Sequence, residues 1–151
     1  DGVWPGIVDI QMVMVDVRDV ATTHRLAMEL SSASGRYLTA AGVRSLRQVI
    51  DLLKVNGWGD RYKLPSLPLD NAFGNVLVRL AANFQKPGTR SYLKTNVGGE
   101  FRIDNSKVRN ELGIEFRDLD QTLLDAMEDL ENWGLLGKKG RSTGMSTPGM
   151  G

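Results

Sequence analysis

Asp16, Arg18 and Asp19 stand close together in the stretch Val15-Asp16-Val17-Arg18-Asp19-Val20-Ala21, where an apolar β-prone run meets a helical pattern. Two carboxylates at that spacing could hold a hard cation weakly, through oxygen ligands. The same chemistry lets Asp19 cap a helix by accepting from backbone N–H groups one turn in, which accounts for it without a metal. Lys107 and Arg109, near a second predicted helix start, could meet an anion, although exposed charge explains them as well. His24 is the sole imidazole and falls on the predicted apolar side of its helix, where it reads as a partly buried, hydrogen-bonded histidine rather than a catalyst. Ser31, Ser32 and Ser34 have no neighbouring base and no Gly-x-Ser-x-Gly turn, so a role at a helix end is the plainer one. Asp125, Glu128, Asp129 and Glu131 lie mainly opposite an apolar stripe and read as a solvated face. There is no Gly-x-Gly-x-x-Gly and no Gly-x-x-x-x-Gly-Lys-Ser/Thr. On residue chemistry alone, no active site and no metal site are visible.

The elements that would position these groups follow from periodicity. Alternation over 10–17 predicts a strand ending at Asp19, which caps a helix whose inner face is Val20, His24, Ala27 and Met28. That helix should fade in Ser31-Ser32-Ala33-Ser34-Gly35. Residues 36–40 make a short strand candidate. Ser45 and Gln48 form a capping-box pair for a helix running to about Asn56. Pro65 and Pro68 keep 62–69 extended or turning. Asp70 should cap a helix with an apolar face of Phe73, Val76, Leu77, Leu80, Ala81 and Phe84, closed by Pro87-Gly88. Residues 88–100 read as loop and 101–103 as a short strand. Asp104 or Asn105 then caps a short helix ending at Gly113. Asp118 and Gln121 open the last helix, with a stripe of Leu119, Leu123, Met127, Leu130 and Trp133 or its neighbours. The expected class is α/β, mixed α+β when isolated, with about four helices and three or four short strands. Residues 1–139 form the folded unit and 140–151 a disordered tail.

Composition narrows the function classes. The chain has 151 residues, enough for one domain with a core, and a formal net charge of +1, which gives no footprint for nucleic acid. It has no cysteine, which fits a reducing compartment, and no apolar run long enough to span a membrane. A cytoplasmic setting is the expectation. The chain begins at Asp1 rather than methionine, as a processed, trimmed or partial sequence would.

The order of segments resembles the extended short-chain dehydrogenase/reductase family, in its dihydroflavonol reductase-like or NAD-dependent epimerase/dehydratase-like branch. Val15 to Ala21, then His24 and Ala27, then Gly35-Arg36-Tyr37-Leu38 carry the first part of the likeness. Asp104-Asn105-Ser106-Lys107 with Glu111-Leu112-Gly113, Phe116-Arg117 and Trp133-Gly134-Leu135-Leu136 carry the second. The likeness covers roughly residues 8–137. It implies NAD or NADP as cofactor of the full-length family and hydride transfer to a small organic carbonyl substrate. Members also carry a glycine-rich dinucleotide turn and a Tyr-x-x-x-Lys pair, and neither occurs here: Tyr37, Tyr62 and Tyr92 are followed four positions later by Ala41, Ser66 and Asn96.

No catalytic or cofactor-binding residue therefore transfers to this sequence. The resemblance implies the C-terminal substrate-binding portion of such an enzyme, not competent alone, with Asp16, Arg18, Asp19, Asp104, Ser106 and Lys107 as framework residues. Trp4, Met12 and Met14, an aromatic and two flexible thioethers, could line an apolar substrate pocket, though core and loop packing is the plainer account of them. A strand at 37–40 cut off from a larger sheet would leave an open edge, inviting self-association or a missing nucleotide-binding half as partner. The rival expectation is a stand-alone, non-enzymatic interaction module on the same scaffold.

Overall fold

The computed structural model describes residues 6–136. Trp4 and the expected tail at 140–151 lie outside the described residues.

The strand expected over 10–17 is shorter, and a further strand precedes it where 1–9 reads as a loop; the two serve different sheets. Strand β1, Gly6–Val8, is buried along its whole length, and β2 spans Gln11–Met14. Between them the N–H of Ile10 turns back onto the carbonyl of Val8 at 2.9 Å, while the Asp9 carbonyl accepts from Gly98. Both Val8 and Ile10 thereby point into one core cluster, which a continuous strand with alternating faces would also allow, but the turn sends the two halves to different partners. β2 pairs antiparallel with β3, Gly42–Ser45, in the register Met12 to Arg44 and Met14 to Gly42. β1 pairs parallel with β4, Leu67–Leu69, with Ile7 opposite Pro68. Pro68 has no N–H to give to a ladder, so β4 suits a sheet edge.

Helix α1 occupies Val17–Glu29, three residues earlier than expected. Its cap is Asp16, not Asp19. Asp19 is instead turned inward, and with it Thr23, Leu26 and Ala27, so His24 and Met28 are exposed. The histidine's Nδ1 lies 2.8 Å from the Val20 carbonyl on the outer face. Residues 36–40 are not a strand: this segment runs as loop, with Tyr37 packed against Val108 and Leu112, and the open parallel edge expected of it is not there.

Helix α2, Leu46–Val55, begins with the capping box at Ser45 and Gln48 as the spacing predicts, and ends where Gly57 adopts φ +76°. A short helix α3, Trp58–Arg61, follows, and Trp58 stacks with Tyr62 at 5.7 Å between ring centroids. Helix α4, Ala72–Ala81, is capped by Asn71, whose side chain accepts from the Gly74 N–H at 2.8 Å. Asp70 is taken by Arg47 instead. The inner face of α4 is Gly74, Val78 and Ala82, and the stripe expected to be buried is outside. The reason is room. A Cβ at position 74 would sit 2.3 Å from the Leu69 carbonyl oxygen, so only the glycine-and-small side can approach β4.

A 3₁₀ turn at Ala82–Phe84 leads to α5, Pro87–Asn96. Pro87 thus opens a helix rather than closing one, using the first helical position where its missing N–H costs nothing. Residues 88–100 were expected as loop because only Leu93 and Val97 face the core, too few for a clear stripe. Residues 101–103 form no strand. Helix α6, Ser106–Leu112, ends at Gly113 with φ +66°, and α7, Leu119–Asn132, is capped by Asp118. The described residues hold seven α-helices and four short strands, more helices than expected and within the mixed α/β class.

Three apolar clusters hold these pieces. Val8, Ile10, Val78, Ala82, Leu93 and Val97 join β1 to α4 and α5. Leu53, Trp58 and Tyr62, with Leu124 and Met127, join α2 and α3 to α7. Val108, Leu112 and Ile114, with Leu26, Ala27 and Tyr37, join α6 to α1. On α7 the inward side is Leu119, Leu124 and Met127, leaving Trp133 exposed instead of packed. Among the described residues no helix is long and apolar enough to cross a membrane.

Candidate functional site

The opening motif commits its charged side chains to joining helices. Asp16 is 2% exposed and its carboxylate takes four donors. The N–H of Arg18 reaches it at 2.8 Å, Arg18 Nε at 2.9 Å and Nη2 at 2.6 Å, and the Thr122 hydroxyl on α7 at 2.9 Å. The Arg18 guanidinium then bridges outward to Asp125, also on α7, at 2.7 Å. The fork of Arg18 holds Asp16 far below the usual carboxylate range, overriding the burial that pushes the other way. Asp16 in turn raises Arg18 above its ordinary value. Asp125 is lowered by the side chain of Gln121 and by Arg18. The four carboxylates read as a solvated face therefore divide: Asp125 grips Arg18, Glu131 accepts from Arg61 and from the Tyr62 hydroxyl, and Glu128 and Asp129 stay exposed.

Asp19 works one turn further along. One oxygen accepts the backbone N–H of Arg117 at 2.8 Å and the other the Arg117 guanidinium. Arg117 belongs to the segment between α6 and α7, so α1 is tied at its first turn to both neighbours. With these oxygens engaged by N–H and hydroxyl donors, the cation reading of Asp16 and Asp19 has no free ligands to draw on. Among the described residues there is no group of three or more His, Cys, Asp or Glu placed to hold a metal ion.

The second motif performs the matching task at α6. The Asp104 carboxylate accepts the N–H of Ser106 at 2.9 Å and is lowered by Ser106, while Asn105, the residue at the cap position, donates to the Ala40 carbonyl at 2.7 Å. Lys107 reaches back to the Ser34 carbonyl at 2.8 Å and lies over the Tyr37 ring at 4.5 Å. Tyr37 donates to Glu111 at 2.9 Å and accepts from the Ser34 N–H. This clasp keeps 34–40 on α6 and explains why that segment needs no strand partner.

Two open grooves flank the junction. One, of about 640 Å³, runs between Val15–Arg18 and the Thr122, Asp125, Ala126, Glu128 and Asp129 face of α7. The other, of about 420 Å³, is bordered by Asp19, Thr22, Leu26 and the Gly113–Arg117 segment. Met12 and Met14 are half-buried on β2, Met12 packing against the β1–α4 cluster, and neither lines these two grooves. The residues missed by sequence reasoning are Thr122 and Arg47, and Asp125, read there as solvated face, grips Arg18 instead. Arg117 was noticed only as part of a motif. Nothing local marks any of these as the partner of a residue so far away in the chain.

No family model matches the chain. It is 30% identical to cinnamoyl-CoA reductase 1 of Arabidopsis thaliana, over 85% of this chain and 30% of that protein. It is 31% identical to tetraketide alpha-pyrone reductase 1 of the same plant, over 88% of this chain and 31% of the relative. Among solved structures, Gre2 of Candida albicans in complex with NADPH superposes with a TM-score of 0.53 at 26% identity, covering 84% of this chain and 32% of that one. The chain is similar over most of its own length to reductases of the short-chain dehydrogenase/reductase family, and spans about a third of the length of the relatives it matches.

Proposed function

We propose that this chain is the C-terminal, substrate-side portion of an NAD(P)-dependent reductase that reduces a carbonyl on a small or medium organic molecule. The observation that carries this reading is the alignment of most of the chain with one third of several reductases. The two clasps then have a purpose: they hold α1, α6 and α7 rigidly where a substrate would be walled in, as a preorganised pocket requires. Trp4, Met12 and Met14 remain the proposed apolar contacts to substrate. The sequence holds neither the glycine-rich turn nor the Tyr-x-x-x-Lys pair, so hydride transfer depends on a nucleotide-binding half supplied as another part of the protein or as a partner. A cytoplasmic setting, where NADPH is at hand, fits this role.

A chimera tests it. Residues 1–136 replace the corresponding third of Gre2, and NADPH-dependent carbonyl reduction is followed by loss of nicotinamide absorbance. Turnover by the chimera with an altered substrate range, and none by the chain alone, is the expected result. A clear NADPH-induced fluorescence or melting shift with the isolated chain would overturn the division of labour.

A further inference from the structure

We draw no further inference here: the strongest candidate, the outward apolar stripe of Phe73, Val76, Leu77, Leu80 and Phe84 along helix α4 and the turn after it, lies in a chain that spans about a third of its relatives, and nothing in the structure shows what covers it.

Discussion

Asp19 and Arg117 are 98 residues apart in the chain and joined twice, once through the Arg117 N–H at 2.8 Å and once through its guanidinium. The carboxylate is 2% exposed at the side chain and the guanidinium 45%. Stability here is asymmetric. Removing Arg117 strands a buried charge, whereas removing the charge itself leaves a polar group that can still accept.

Arg117→Ala should therefore cost about 2 kcal/mol, below the roughly 3–5 kcal/mol typical of a fully buried broken pair because half the guanidinium is already in water. Asp19→Asn keeps an acceptor for the Arg117 N–H and should cost less than Arg117→Ala. Urea titrations of the two variants decide this. Equal stability of Arg117→Ala and the parent chain would remove Asp19 from the list of anchors.

Asp16 sets the acid limit. Its folded carboxyl is held far below the unfolded value of 3.8 by the Arg18 fork, so the unfolded chain binds the proton first as pH falls. The stability from this group is complete above the unfolded value and declines below it, by about 1.4 kcal/mol per pH unit until the folded group titrates. Thermal melts between pH 7 and pH 2 should show this slope below about pH 4. Asp16→Asn should flatten that limb, and it should also lower stability at neutral pH by weakening the α1 cap, where cap losses run about 0.5–2 kcal/mol. An unchanged acid limb in Asp16→Asn would assign it to other carboxylates.

Ser45 closes β3 and opens α2 at once. Its hydroxyl accepts the Gln48 N–H at 3.1 Å, and the Gln48 side chain accepts the Ser45 N–H at 2.8 Å. Ser45→Ala should cost about 1 kcal/mol, and Gln48→Ala less, since only one of the two reciprocal bonds depends on its side chain. Chemical denaturation midpoints read both. Glycine at 45 should be better tolerated than alanine, because it is itself an acceptable cap.

That capping box was legible in the sequence because every atom in it lies within one turn. The ends of α2 and α6 at Gly57 and Gly113 were legible for the same reason: a positive φ asks for glycine locally. What could not be read locally was direction. Asp16 and Asp19 are both competent caps, and the choice between them is made by Thr122 and Arg117, distant partners with no local trace. The same holds for α4, where hydrophobicity named one face and steric room chose the other. The family motifs were legible as a likeness, but their work as clasps between α1, α6 and α7 emerges only when the chain is folded.

Gly74 makes the choice of face on α4 testable. An added Cβ would lie 2.3 Å from the Leu69 carbonyl oxygen and 2.5 Å from its carbon, both backbone atoms of a strand already paired to β1. Neither can yield as a side chain would, so Gly74→Ala must push α4 away from β4 and loosen Val78 and Ala82 from the first cluster. The expected loss is about 1–3 kcal/mol, the range for overpacking a well-filled site, despite alanine's better helix propensity. Gly88→Ala, near the start of α5 with nothing within 4 Å of the new methyl, isolates that propensity and should stabilise by up to about 1 kcal/mol. Melting both variants beside the parent chain separates backbone preference from contact. If Gly74→Ala melted higher, as Gly88→Ala should, the close approach of α4 to β4 would not exist and the outward stripe would lose its physical cause.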